Sequence, residues 1–346
     1  MDETDHLPTS DPARETQVCE TWQRFLQGTL SVLLVVGTAL MVRYYAPPPA
    51  NDLKAQVQQL TDQVQQLKQE QAMPAMVLNR YRDSICYLHG VYHVSFPDNR
   101  SGLRARLSGT GFVVASGLLA TNRHVAEPWY GDPEAEALIR EGATPQLEKL
   151  VAFFPGVPTP LTVTPSVESA KGDLALLRMD DSSIGHPLMP IPLASKSPHP
   201  GEIVAVVGYP MGIAGMVAKS PTSVYERLAY RRDDIGAANE LAALSLIRPS
   251  ATYGHLGDVV GDKLIYDAPT AHGGSGGPVF NSRGEVIGIN SAFLDGFSGG
   301  TLGISAEALR PLLEAAQRPA QPEGHSGTPT GVATAGQRHL QRRDQQ

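Results

Sequence analysis

Residues His272-Gly273-Gly274-Ser275-Gly276-Gly277-Pro278 set one serine among four glycines, directly ahead of an apolar run. Glycines on both sides let the backbone turn tightly and bring two N–H groups to one point. Such paired amides suit a nucleophile whose attack leaves a negative oxygen on a tetrahedral intermediate. A phosphate-binding loop is excluded, because no Lys-Ser or Lys-Thr follows the glycines. The bland alternative is a Gly-rich turn with an incidental serine. A serine hydroxyl also needs a base to take its proton, and the base needs a third group to hold its tautomer. Ala120-Thr121-Asn122-Arg123-His124-Val125 supplies a histidine just after an apolar run. Lys171-Gly172-Asp173-Leu174-Ala175-Leu176-Leu177 supplies an aspartate at the head of another.

The chain order His, Asp, Ser is that of chymotrypsin, not of subtilisin or the α/β-hydrolases. The chain resembles the trypsin/chymotrypsin superfamily and, within it, the Deg/HtrA-like branch. The resemblance rests on GTGFVV at 109–114, LLATNRHVA at 118–126, KGDLALL at 171–177, GYPMG at 208–212 and DAPTAHGGSGGPVFNSRGEVIGIN at 267–290. It covers about residues 80–316. It implies Ser275 as nucleophile, His124 as general base and later acid, and Asp173 as the group orienting the histidine. The backbone N–H groups of Gly273 and Ser275 would form the oxyanion hole. Thr270, His272 and the strand Asn290-Ser291-Ala292 would lie beside a bound polypeptide. The implied fold is all-β: two six-stranded antiparallel barrels with the site in the cleft between them, closed by a C-terminal helix. No metal or organic cofactor is implied.

Some positions depart from that pattern. Gly274 stands where digestive proteases carry Asp and the Deg/HtrA branch commonly carries Asn; its added backbone freedom predicts an oxyanion loop ordered only by substrate or an activator. Pro269 stands six residues before Ser275, where trypsin has the Asp that selects Lys or Arg, so a small or medium apolar residue is expected before the cleaved bond. Nothing after residue 316 reads as the PDZ module typical of the branch.

The elements that must position these residues read as short apolar runs separated by Gly, Pro, Asn and Asp. Strands are expected at 85–94, 111–114, 118–121, 150–154, 161–163, 174–179, 203–207, 278–281 and 286–290. Helices are expected at 133–140 and at 306–316, the latter opened by Ser305. The domain is set at 78–316, and the tail 317–346, rich in Pro, Gly, Thr and Gln, reads as disordered.

Ahead of this domain the texture differs. Residues 1–24 form an acidic tail. Between Arg24 and Arg43 lie 18 uncharged residues, about 27 Å of helix, close to the thickness of a bilayer's hydrocarbon core. Trp22 and Tyr44-Tyr45 flank them as interfacial aromatics do. A cleaved signal sequence competes, but the leader is long and acidic and no A-x-A site follows. A membrane helix is therefore expected over 25–46. Charge does not set its orientation, with Arg14 and Arg24 on one flank and Arg43 and Lys54 on the other. After Pro47-Pro48-Pro49, Leu53, Val57, Leu60, Val64 and Leu67 make a heptad seam over 51–72, which Pro74 is expected to end. A short coiled-coil stalk joining two or three copies is the expectation.

Composition narrows the partners. A net charge of -7 over 346 residues, with Lys+Arg 28 against Asp+Glu 35, argues against nucleic acid. Hydrophobic residues at 41% suffice for a sizeable core. Cys19 and Cys86 fall on either side of the membrane helix, so the fold is not built on disulfides. His89 and His93 lie in a strand with no carboxylate or Cys at ligand spacing, and read as core or surface histidines. The resulting expectation is a single-pass membrane serine endopeptidase acting on misfolded or regulatory polypeptides. The resemblance places the protease on the periplasmic side of a bacterial inner membrane. The competing readings are a non-catalytic polypeptide-binding protein and an esterase on the same fold.

Overall fold

The computed structural model describes residues 12–45, 50–98, 100, 102–182, 184–293 and 300–318, in two units, Met1–Gln69 and Glu70–Gln346. In the first unit, helix α1 (Pro12–Tyr45) contains the apolar stretch; its portion Trp22–Tyr45 is long and apolar enough to cross a membrane, and none of it is buried. The start of the acidic tail (1–11), the proline break (47–49) and nearly all of the C-terminal tail (319–346) lie outside the described residues. Helix α2 (Ala50–Tyr81) carries Leu53, Val57, Leu60, Val64 and Leu67 exposed along one stripe.

Pro74 does not end that helix. Proline has no N–H to give to the helical ladder, and burial makes good the loss. Met73, Val77 and Tyr81 are sunk in the core of the second unit, where the Tyr81 ring stacks on Phe280 with centroids 5.6 Å apart. The second unit therefore begins at Glu70, not at residue 78.

Strands β1 (Ile85–Ser95), β2 (Leu103–Ala115), β3 (Leu118–Thr121), β4 (Thr144–Phe153), β5 (Leu161–Glu168) and β6 (Ala175–Met179) close in the order β1-β2-β3-β6-β5-β4. Strands β7 (Ile203–Gly208), β8 (Ser250–Val260), β9 (Lys263–Tyr266), β10 (Pro278–Phe280), β11 (Val286–Phe293) and β12 (Thr301–Ser305) close in the order β10-β11-β12-β9-β8-β7. The chain thus forms the two six-stranded antiparallel barrels of the chymotrypsin-like fold. Successive side chains of a strand point to opposite faces, and here both faces are buried. Cys86, Leu119 and Leu177 fill the first barrel, and Val204, Val206 and Val279 fill the second. Their neighbours Tyr87, Ala120, Leu176, Ala205, Val207 and Phe280 pack between the barrels. Burial pushes the Cys86 thiol far above its ordinary pKa, so it is no nucleophile at neutral pH.

Helices α3 (Arg123–Ala126) and α4 (Pro133–Arg140) follow β3, and Asp132 caps α4 by accepting from the Glu134 and Ala135 N–H groups. Between β7 and β8 lie three helices that periodicity did not indicate, α5 (Gly212–Ala218), α6 (Thr222–Leu228) and α7 (Asp234–Ala243). They are short, and burial of Met216 and Val217 in α5, Val224 and Leu228 in α6, and Ala238 and Leu241 in α7 stabilises them more than intrinsic propensity does. After β12, Ser305 accepts from the Glu307 N–H as expected, opening a tight turn that leads into α8 (Arg310–Gln317).

Candidate active site

Strand pairing brings the first two residues together. Thr121 at the end of β3 faces Ala175 at the start of β6, so His124, three residues later, and Asp173, two residues earlier, emerge at the same end of the barrel. His124 Nδ1 lies 2.7 Å from Asp173 Oδ2, and the His124 backbone N–H donates to Asp173 Oδ1 at 2.9 Å. Facing an ionised carboxylate, Nδ1 carries the proton, which leaves Nε2 as an acceptor. The Ser291 hydroxyl donates to Asp173 Oδ2 at 2.7 Å. Burial raises the Asp173 pKa, but the hydrogen bonds from His124 and Ser291 and the proximity of the imidazole outweigh it, and the net shift is downward.

The serine arrives from the second barrel. Its loop precedes β10 and is bound to the first barrel through Thr110 of the GTGFVV segment. The Thr110 N–H donates to Ser275 O at 2.8 Å, and the Thr110 hydroxyl donates to Gly273 O at 2.7 Å and accepts from the Tyr209 N–H at 3.0 Å. His124, Asp173, His272, Ser275, Ser291 and Ala292 line one groove of about 560 Å³. The Ser275 hydroxyl donates to the Ser291 carbonyl at 2.9 Å.

The turn ahead of Ser275 is ordered by the protein itself, contrary to the expectation for Gly274. The Met211 N–H donates to His272 O at 2.6 Å. The C=O and N–H of a trans peptide point in opposite directions, so the Gly273 N–H faces away from Met211. Neither the Gly273 nor the Ser275 N–H has an acceptor among the described residues. Gly273 has φ +91°, and a Cβ there would stand 2.6 Å from the Tyr209 carbonyl, so only glycine fits. A Cβ on Gly274 would collide with Thr270 Oγ1. The backbone freedom of Gly274 is thus spent on close packing.

Two expected substrate contacts are misplaced. Asn290 is 1% exposed, and its side chain binds Gly274 O and Thr270 Oγ1 at 2.9 and 3.3 Å. Neither Asn290 nor Thr270 lines the groove. The side chains of β11 alternate, so Asn290 enters the core while Ser291 faces the groove. Thr110 and Met211 were missed as site residues, although both stand inside segments that carried the resemblance; their roles are hydrogen bonds to a loop remote from them in sequence. Met211 takes the left-handed region, φ 63°, uncommon for a side-chain-bearing residue. Elsewhere His93 Nδ1 lies 3.2 Å from Glu148, and His89 is buried beside Tyr87.

Residues 109–289 match the trypsin-like peptidase domain. A probable periplasmic serine endoprotease, DegP-like, of Rhizobium meliloti is 31% identical over 211 residues, covering 60% of this chain and 32% of that protein. The putative serine protease HhoA of Synechocystis is 28% identical over 199 residues, covering 57% and 40%. The chain thus spans well under half the length of these relatives. Among solved structures, the serine endoprotease from Yersinia pestis aligns with TM-score 0.44 at 18% identity, covering 69% of this chain and 65% of that one.

Proposed function

Because the chain belongs to the trypsin-like peptidase family, with relatives in its Deg/HtrA-like branch, we propose that it is a serine endopeptidase working through Ser275, His124 and Asp173. The observation that carries this reading is the Asp173–His124 pair at 2.7 Å, with Ser275 lining the same groove and the Gly273 and Ser275 N–H groups without an acceptor among the described residues. In the resting site the Ser275 proton rests on the Ser291 carbonyl. A substrate strand laid against β11 offers its own N–H to that carbonyl and releases the hydroxyl to His124 Nε2. Nε2 takes the proton as Oγ bonds to the scissile carbon, and the carbonyl oxygen, now negative, accepts from the Gly273 and Ser275 N–H groups. Protonated His124 gives its proton to the departing amine, leaving an acyl-enzyme. Water then attacks, His124 takes its proton, and the returned proton frees Ser275 and a carboxylic acid product. Asp173 holds Nδ1–H throughout and stabilises the imidazolium.

The apolar helix and the periplasmic relatives support a membrane-anchored protease with its tail in the cytoplasm and its barrels in the periplasm, acting on misfolded or regulatory polypeptides. Release of the full-length protein by alkaline extraction would count against the anchor.

The deciding experiment treats full-length protein and its Ser275→Ala variant with a fluorophosphonate probe and a denatured protein library. The expected result is labelling and new peptide termini in the parent and neither in the variant. Absent labelling under every condition would return the chain to a non-catalytic binding role, and ester turnover without protein cleavage would make it an esterase.

A further inference from the structure

Asn290 and Tyr266 form a buried hydrogen-bonded chain that ends on the nucleophile loop. Tyr266, fully buried inside the second barrel, donates its phenol O–H to Asn290 Oδ1 at 2.8 Å. Asn290 Nδ2 donates to Gly274 O at 2.9 Å and to Thr270 Oγ1 at 3.3 Å. The Asn290 backbone closes on the same loop from the other side. Its N–H donates to Gly277 O, and its C=O accepts from the Gly276 N–H, both at 2.8 Å. One residue therefore fastens the loop just before Ser275 and at the two residues just after it. Its neighbour Ser291 holds Asp173 and the Ser275 hydroxyl.

We propose that Asn290 is a positioning residue for catalysis, a neutral brace that fixes the peptide planes around Ser275, with Tyr266 fixing Asn290 in turn. The Gly274 carbonyl can only accept, so Nδ2 must face the loop, and Oδ1 is left to accept from the phenol. The space a side chain at position 274 would need is occupied by Thr270 Oγ1. The loop thus takes its support from the opposite strand, with Gly274 as the small residue that leaves room for Thr270 Oγ1, a partner of the same amide. Every part of this brace is uncharged, so its hold does not vary across the neutral pH range.

The proposal rests on the endopeptidase reading, and its test separates the two. Full-length protein in detergent is compared with its Asn290→Asp, Asn290→Ala and Tyr266→Phe variants for kcat, KM, affinity for a peptide boronate and rate of fluorophosphonate labelling. Asn290→Asp is nearly isosteric but turns an oxygen toward the Gly274 carbonyl. Its kcat is expected to fall about tenfold to a hundredfold with KM within about twofold, because loops misplaced by an ångström cost rates of that order. Boronate affinity and labelling rate should fall in step, since both read the geometry around Ser275. Tyr266→Phe, which leaves the ring packing intact, should lose about threefold to tenfold and carries the test if an Asn290 variant does not fold. Unchanged kcat in folded variants overturns the proposal, and so does a raised KM at constant kcat, which would make Asn290 a substrate contact. A parent protein that neither cleaves nor labels removes the endopeptidase reading instead.

Discussion

Asp173 is the residue at which the proposed chemistry and stability meet. Its pKa is lowered in the fold, so the folded state favours the carboxylate more than the unfolded chain does. That contribution is complete above the ordinary carboxylate range and is lost as the pH falls through the lowered value. Asp173→Asn should therefore reduce kcat by about 10⁴-fold through the wrong imidazole tautomer. The melting temperature of the variant should sit below the parent's at pH 7, with the gap closing on acidification; a gap that widens toward acid would contradict the sign of the shift. At this scale the sequence showed which side chains could react and not what holds them. His124, Asp173 and Ser275, which line one groove, are legible because the roles proposed for them demand particular residue types. Thr110, Met211 and Asn290 work through backbone N–H groups, a hydroxyl and an amide turned inward onto backbone partners, and neither composition nor spacing marks that.

Strands that are continuous apolar runs were legible as elements: β3, buried on both faces, matches its expected limits, as α4 does among the helices. Strand β8, with two glycines and only two buried residues, gave no such signal, and neither did α5 to α7. The heptad seam pointed to α2, but its extension past Pro74 comes from tertiary burial that no local pattern records. That burial leaves one trace. The Tyr81 hydroxyl is buried and has no hydrogen-bond partner among the described residues. An unpaired buried polar group costs about 1–3 kcal/mol, so Tyr81→Phe should raise the unfolding free energy by about 1 kcal/mol with the Phe280 stacking kept. Urea denaturation measures it, and a lower midpoint would mean that the hydroxyl has a partner. Along the outer part of α2, the exposed Val and Leu stripe predicts self-association; substituting Leu53, Leu60 and Leu67 with Asn should turn a cross-linkable dimer or trimer in detergent into a monomer.

For the molecule as a whole, Thr110 makes the reactive groove report on the fit of two separately closed halves. Each barrel completes its own ladder of strand pairings, while the core packed between them belongs to both. A single threonine of the first barrel touches Ser275, Gly273 and Tyr209 of the second, and Thr121 in turn donates to the Thr110 carbonyl at 2.8 Å. Warming that loosens the seam between the halves should silence cleavage while both cores are still intact. Thr110→Val keeps the volume and drops the hydroxyl, and should advance this loss by several degrees relative to the melting of the strands. Circular dichroism followed beside peptide turnover over one temperature ramp would show the two curves parting, with hydrolysis fading first.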